Sequence, residues 1–261
     1  FYAMQEEYAL AVIEMEIWID AAIIVGADAR MLLAQLYYQL ERKADALVMV
    51  EIAIAEAEAK EILPKESMWS LQRVLYYEKD DLKKVTSILQ KLVTHYPKWT
   101  YWKQLGGMYG SQERETDQLV ATEMVYMNDQ LTTESQVMSM AYMYLGAEVP
   151  YRAAKIIDKG MQDKIIEKNA KNFEVLGQAW WQAKNLESAL KSFESASKFS
   201  DTGEIQSRIA SIYLDLGKDK QAYKAAKKAA KKGEVKNAST NYATMGSALI
   251  NLHCYKDAIS A

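Results

Sequence analysis

The hydrophobic pattern of this chain is most regular between Ala170 and Phe199, in the stretch AKNFEVLGQAWWQAKNLESALKSFESASKF. Large apolar residues stand at its fourth, seventh and eleventh positions, and a glycine stands at its eighth. Its second half has small residues at positions twenty and twenty-seven and a phenylalanine at position twenty-four. This spacing predicts two amphipathic helices joined by a short polar turn. Because one helix pair cannot bury both of its faces, the pattern also predicts neighbouring pairs.

The same order of large and small residues recurs along the chain. Repeats start near positions 27, 66, 99, 134, 170, 203 and 239, at intervals of 33 to 39 residues. Order and interval together resemble the tetratricopeptide repeat (TPR) over nearly the whole chain. The resemblance implies an all-α fold, a right-handed α-solenoid of about seven TPR helix pairs. In this interpretation residues 1–26 form an N-terminal cap helix, residues 1–261 form a single solenoid, and the last repeat is truncated.

The match is weakest in the second and third repeats. Gln72 and Arg73 stand at positions seven and eight of the second repeat, where the pattern has a large and a small apolar residue. In the third repeat, Gln118 and Thr122 replace a small residue and a large one. These positions are where we expect packing to depart from the common pattern.

Local signals predict where individual helices begin and end. Thr133 followed by Gln136 has the sequence of a capping box. Pro150 suits the first turn of a second helix, where its missing N–H costs no hydrogen bond. The second helix of the first repeat is expected to continue through Ile62, until Pro64 ends it.

Residues that carry chemistry are scarce and scattered. His95 and His253 are the two histidines and Cys254 is the one cysteine, so the sequence shows no cluster of soft metal ligands. We therefore predict no catalytic residue, no metal site and no cofactor, and a protein that is not an enzyme. Cys254 is expected to be a small buried helix residue. The glycines of GGMYG, from Gly106 to Gly110, lack the strand and the lysine of a phosphate loop and instead predict close helix packing.

The longest apolar stretch runs from Ala9 to Val25 and is interrupted by three acidic residues. No uninterrupted run reaches the ~18–20 residues of a membrane span. The stretch therefore predicts a soluble helix with one buried face. Because the chain begins at Phe1 rather than at methionine, we expect it to be a fragment or a processed form, which leaves its signal-peptide status open.

Charge is distributed unevenly along the chain. Residues 1–60 hold eleven acidic and four basic residues, whereas residues 201–261 hold six acidic and ten basic ones. Five lysines near the basic end share one helical face and form a candidate site for an anionic surface or a nucleic acid. A solvated outer face is the stronger interpretation, because charge runs usually solvate helices and no aromatic residues interleave to stack bases. This basic face comprises Lys220, Lys224, Lys227, Lys228 and Lys231.

The first helix of each TPR pair contributes its positions two, five, nine, twelve and thirteen to the concave surface of the solenoid. The candidate residues chosen at these positions are rich in aromatic, methionine and glutamine side chains and are nearly uncharged. Such side chains suit an extended peptide or a helix, through flat apolar contact and amide hydrogen bonds. Packing against a neighbouring turn is an equally good reading, since aromatic residues are enriched in cores as well as interfaces. The candidate partner-binding residues are Gln35, Tyr38, Tyr77, Lys103, Met138, Tyr142, Gln178, Trp181 and Gln182.

Two phrases resemble a narrower family, the TPR proteins associated with gamma-proteobacterial TonB–ExbB–ExbD systems. The first is YPKWTYWKQLGGMYG, residues 96–110, and the second is PYRAAKIIDKG, residues 150–160. The resemblance implies a periplasmic accessory of a TonB-dependent nutrient or iron uptake system, with TonB-system components among its partners. The residues of these two segments also occupy positions that pack the helices of a TPR pair.

We therefore expect a non-catalytic protein–protein interaction scaffold that binds a protein or peptide. A cytosolic TPR scaffold or co-chaperone is one alternative, with a cytoplasmic location in place of the periplasmic one. An anionic-surface or nucleic-acid binder acting through Lys220–Lys231 is the other, and we regard nucleic acid as the weaker partner. The incomplete last repeat predicts an apolar edge that favours a homodimer.

Overall fold

A computed structural model describes residues 2–200 and 202–259, and every regular element in those ranges is a helix. The chain divides into two compact units, residues 1–128 and 129–261. Both are arrays of helix pairs in which each α-helix packs against the next one along the chain. The prediction of an all-α fold built from helix pairs is therefore confirmed.

In the first unit, a short 3-10 helix and the α-helix α1 precede three helix pairs. The second helix of each pair also packs against the first helix of the following pair. Its elements are a 3-10 helix Tyr2–Gln5, α1 (Tyr8–Ala21), α2 (Ala27–Gln39), α3 (Lys43–Ala59), α4 (Glu66–Glu78), α5 (Leu82–His95), α6 (Trp99–Ser111) and α7 (Glu115–Met127).

The second unit repeats the arrangement with four pairs, of which the last has a short second helix. Across both units, the first helices begin at residues 27, 66, 99, 134, 170, 203 and 238, within one residue of the starts read from the pattern. The elements of the second unit are α8 (Glu134–Gly146), α9 (Pro150–Gln162), α10 (Ala170–Gln182), α11 (Leu186–Phe199), α12 (Gly203–Asp215), α13 (Asp219–Lys232), α14 (Ala238–Asn251) and α15 (Tyr255–Ile259).

Small residues hold the two helices of a pair at close range. A Cβ atom added to Gly177 of α10 would lie 2.8 Å from two ring carbons of Phe193 on α11. Phe193, Ala189 and Ala196 are fully buried, so the ring has no room to move aside. The glycine at position eight is thus the space into which the phenylalanine at position twenty-four packs.

The third repeat shows how its departures from the pattern are accommodated. Gly110 lies next to the side chain of Gln118, and an added Cβ would stand 2.6 Å from its Nε2 atom. The Thr122 hydroxyl donates to the Gln118 carbonyl oxygen at 2.8 Å, which satisfies that polar group inside the pair. The polar side chain of Gln118 at position twenty therefore fits because Gly110 on the facing helix has no side chain.

The turn inside every pair places its fifteenth residue in the left-handed region. The backbone N–H of the sixteenth residue donates to the carbonyl of the eleventh, as from Asn185 to Trp180 at 2.9 Å, which closes a Schellman motif. Only the sixth repeat has glycine at this position, Gly217 with φ 68°. The other six are Glu41, Asp80, Glu113, Glu148, Lys184 and His253, with φ between 57° and 61°.

The predicted helix boundaries agree with the structure except at two helices. The N-terminal helix expected within residues 1–26 is instead a 3-10 helix, Tyr2–Gln5, followed by the shorter α1, Tyr8–Ala21. Thr133 and Gln136 form the capping box, and Pro150 occupies the first turn of α9, so both predictions are confirmed. The expectation that α3 continues through Ile62 is wrong, because α3 ends at Ala59. The amide of Ile62 donates to the Ala57 carbonyl at 2.9 Å, which closes the helix with a Schellman motif before proline is reached.

Cys254 lies in a different environment from the one we expected. It is exposed and precedes α15, and its carbonyl oxygen accepts the Ala258 N–H at 3.1 Å. The prediction of a buried helix residue is therefore wrong. The turn after α14 directs this position to solvent.

Candidate functional site

The first-helix face is the set of residues at positions two, five, nine, twelve and thirteen of each first helix. In the first unit, it holds Tyr38 on α2 and Glu78 on α4. The Tyr38 hydroxyl donates to Glu78 Oε1 at 3.2 Å, and Lys43 Nζ lies 3.2 Å from Glu78 Oε2. Desolvation and then the hydrogen bond to Glu78 raise the pKa of Tyr38, so the phenol stays protonated as the donor. Gln35, Tyr77 and Lys103 are exposed.

The second unit repeats this contact with a different aromatic residue. Trp181 on α10 donates its indole N–H to Asp215 Oδ2 on α12 at 3.1 Å. In both units, the aromatic residue is at position twelve and its carboxylate partner is at position thirteen of the next first helix. The contact fixes the orientation of a half-buried aromatic side chain on each face.

A second hydrogen bond links the same two helices of the second unit. Gln178 accepts from Arg208 Nη1 at 2.8 Å, and Arg208 also pairs with Glu204 at 3.1 Å. Gln182 is exposed, and 47% of Tyr142 is exposed. The face therefore offers fixed polar groups beside free aromatic and amide surface.

Met138 is the one candidate residue that the structure removes from this surface. Only 6% of Met138 is exposed, and it lies in the core of the second unit. The prediction that it contacts a partner is wrong, because position five of α8 faces the neighbouring helices. Tyr142, one turn later, remains accessible.

Sequence reasoning missed the carboxylates and the arginine that hold the aromatic and amide side chains. Glu78, Asp215 and Arg208 were not among the candidates, although Glu78 and Asp215 occupy position thirteen. The signal was present as an aromatic residue at position twelve followed by an acid at position thirteen of the next repeat, 40 residues later for Tyr38 and 34 for Trp181. Only the stacking of the pairs brings these distant residues together.

The five lysines of the basic face are exposed on α13. Its alanines at positions 222, 225, 226 and 229 are buried on the opposite side. Lys220, Lys224 and Lys231 form no ion pair within the described residues. The face is therefore a solvated stripe of positive charge.

The extra residues of the first repeat build one wall of a small pocket. Ile62 and Leu63 line it opposite Trp69 on α4, and its volume is about 360 Å³. Lys91 lies 5.7 Å from the Trp69 ring centroid and pairs with Glu58 at 3.0 Å. The charged groups beside the tryptophan thus already satisfy one another within the chain.

Residues for metal binding do not cluster in the described part of the chain: no three histidine, cysteine or acidic side chains there could share an ion. Among the same residues, no helix is both long and apolar enough to cross a bilayer.

Several solved structures share this architecture at low sequence identity. The structure of Naa15/Naa10 bound to HypK-THB matches 98% of this chain and 40% of the other, at a TM-score of 0.61 and 12% identity. A MamA crystal structure matches 60% of this chain and 89% of the other, at a TM-score of 0.51 and 15% identity. A tetratricopeptide repeat protein from Parabacteroides merdae matches 95% and 94%, at a TM-score of 0.46 and 12% identity. The sequence matches no protein-family model and no curated protein. The likeness concerns the fold alone, an all-α array of TPR-type helix pairs.

Proposed function

We propose that this protein is a non-catalytic scaffold that binds a peptide or helix of a partner protein on its first-helix face. The observation that carries the proposal is the repeated contact between an aromatic residue and a carboxylate of the next repeat. Tyr38 with Glu78 and Trp181 with Asp215 make it in separate units. Because the rings are already held, a partner that packs on them immobilises little further side-chain motion.

The second unit supplies the sharper candidate surface. Tyr142 contributes a large exposed ring, and Trp181 contributes a half-buried ring whose N–H is already satisfied. Gln182 is exposed and can donate and accept hydrogen bonds along an extended backbone. Tyrosine and tryptophan are the residues that most often dominate the energy of protein interfaces.

A peptide selection tests the proposal. The full chain is used to select binders from a phage-displayed library of random 15-residue peptides, and the affinity of the best peptide is measured by isothermal titration calorimetry. We expect Tyr142→Ala with Trp181→Ala to weaken binding at least about tenfold, which corresponds to about 1.4 kcal/mol.

Tyr242→Ala is the matched control, because Tyr242 is also 47% exposed but stands at position four of its first helix. It should leave the affinity unchanged. Selected peptides that bind the double variant as tightly as the wild type would remove the first-helix face as the binding surface.

We place this scaffold in the periplasm, as an accessory of a TonB-dependent nutrient or iron uptake system. The support is the likeness of residues 96–110 and 150–160 to proteins of such systems. Fractionation of cells that express the full-length gene tests the location. Recovery in the cytosolic fraction would favour the alternative, a cytosolic scaffold or co-chaperone.

The basic face supports a second candidate function, binding to an anionic surface. Lysines also occupy the outward positions twenty-two and twenty-six of α9, Lys155 and Lys159, and of α13, Lys224 and Lys228. Binding to phosphatidylglycerol vesicles and to duplex DNA should fall steeply with salt if this face acts. Absence of binding at low salt removes this candidate.

A further inference from the structure

The N-terminal helix α1 is apolar on two opposite sides. Ala11 and Val12 are buried, and α1 packs against α2. Leu10, Ile13 and Ile17 follow at spacings of three and four residues and therefore share the other side. Their exposed fractions are 47%, 50% and 60%. The sequence predicted one buried face for this helix, and these three residues, the α1 stripe, form a second apolar face that the described residues leave open.

The repeat register places this stripe on the outward side of a second helix. With Ala11 at position twenty, Ile13 and Ile17 occupy the outward positions twenty-two and twenty-six. Lysine fills both positions in α9 and in α13, whereas valine followed by isoleucine or methionine fills them in α3 and α7. At position nineteen, where α3 and α7 have aspartate, α1 has Leu10, so its exposed apolar row is longer by one residue. Such a row indicates a surface that is covered when the protein functions.

Two carboxylates flank the α1 stripe. Glu14 lies three residues before Ile17 and Asp20 lies three residues after it, so they stand on opposite sides of the stripe. Both are exposed, and neither forms an ion pair within the described residues. No lysine or arginine occurs before Arg30. The stripe is therefore an apolar strip between two free negative charges.

We propose that the α1 stripe binds an amphipathic helix of a partner protein whose apolar face is flanked by lysine or arginine. Leu10 and Ile17 lie seven residues apart, about 10 Å at 1.5 Å per residue, so a partner helix of about three turns covers the stripe. Basic side chains on that helix would pair with Glu14 and Asp20 and set its orientation.

The same charges disfavour the other occupants. A second copy of α1 would bring its own Glu14 and Asp20 against these carboxylates, and an anionic bilayer would repel them. The outward face of α13 on a second copy offers lysines without an apolar stripe. A basic amphipathic helix alone satisfies both the apolar surface and the charges.

A pair of designed peptides tests this proposal with the full chain. The probe is the fluorescein-labelled peptide LKKLLKLLKKLLKL, and its partner LEELLELLEELLEL keeps the leucines but reverses the charge. We expect saturable 1:1 binding of the lysine peptide by fluorescence anisotropy, and binding of the glutamate peptide at least about tenfold weaker. Equal affinity for the two peptides would overturn the charge argument.

Protein variants locate the binding. Ile13→Ser with Ile17→Ser, and separately Glu14→Gln with Asp20→Asn, should each weaken binding of the lysine peptide at least about tenfold. Val120→Ser is the matched control, because Val120 holds position twenty-two of α7 and is also half-exposed. Undiminished binding by the serine variant would show that charge alone attracts the peptide, and would overturn the proposal.

Two measurements distinguish this proposal from self-association through α1 and from binding at the first-helix face. Sedimentation velocity compares the wild type with the serine variant, and we expect both to have the same oligomeric state. A dimer that the serine variant abolishes would assign the stripe to a second copy and overturn the proposal. The first-helix variant Tyr142→Ala with Trp181→Ala should bind the lysine peptide as the wild type does. The experiments can therefore refute binding at the α1 stripe without refuting binding at the first-helix face, and the reverse is also true.

Discussion

Gly177 offers the most direct test of how the helix pairs are packed. Replacement by alanine would put a Cβ atom 2.8 Å from Cδ2 and Cε2 of Phe193 and 3.0 Å from Cζ. Ordinary contacts between carbon atoms lie at about 3.5–4.0 Å, so the ring or the helix must shift. Phe193 is fully buried and has no free space to enter.

The expected loss of stability follows from two opposing terms. Overpacking a closely packed core costs about 1–3 kcal/mol, and contact with three ring atoms places this case near the upper end. Alanine in place of glycine inside a helix returns about 1 kcal/mol. The net expectation for Gly177→Ala is a free energy of unfolding lowered by about 2 kcal/mol.

Gly106→Ala is the matched control at the same repeat position. Its added Cβ would lie 3.5 Å from the Ala121 Cβ and the Thr122 Oγ1, which is ordinary contact. We expect this variant to raise the free energy of unfolding by up to about 1 kcal/mol. The prediction is that Gly177→Ala lowers the free energy of unfolding whereas Gly106→Ala raises it.

Urea denaturation followed by circular dichroism measures both variants, and hydrogen exchange of the α10 and α11 amides localises the effect, since repeats can unfold separately. Adding Phe193→Leu to Gly177→Ala should cost less than Phe193→Leu costs alone, because the smaller side chain relieves the clash. If Gly177→Ala stabilised the protein as Gly106→Ala does, the packing argument would be refuted.

Three further outcomes follow from the structure. Lys184→Gly should raise the free energy of unfolding by about 1 kcal/mol, because Lys184 has φ 60° in its turn, and Gly217→Ala at φ 68° should lower it. Urea denaturation midpoints measure both effects, and midpoints equal to that of the wild type would show that this backbone conformation is not strained. The Glu167 backbone N–H and then Asn172 lower the pKa of Glu134, so the stability it contributes is complete above its usual value of 4.5 and is lost as pH falls through the lower folded value. Glu134→Gln should therefore flatten the fall in melting temperature between pH 5 and pH 3, and an unchanged pH profile would contradict this linkage. Exposed Cys254 should react with a thiol reagent in the native protein about as fast as in urea, and strong protection would contradict its exposure.

The order of large and small residues determined the helix pairs and their positions. Gly177 and Phe193 could be assigned to one packed contact from their spacing, because a solenoid repeat places the same two positions face to face in every pair. Thr133 with Gln136 could be read as a cap for a similar reason, since all of its atoms lie within one helical turn. Contacts that depend on short chain separations were therefore predictable.

Only the tertiary structure decided what lies on each surface. The pairing of Trp181 with Asp215 depends on how one pair stacks on the next, and Met138 is buried by that same stacking. Lys184 adopts a left-handed conformation that its side chain does not favour, because packing of the pair imposes the turn. The exposed stripe of Ile13 and Ile17 likewise depends on which side of α1 meets α2. Periodicity says that a helix has apolar sides, and the stacking of its neighbours decides which of those sides remains open.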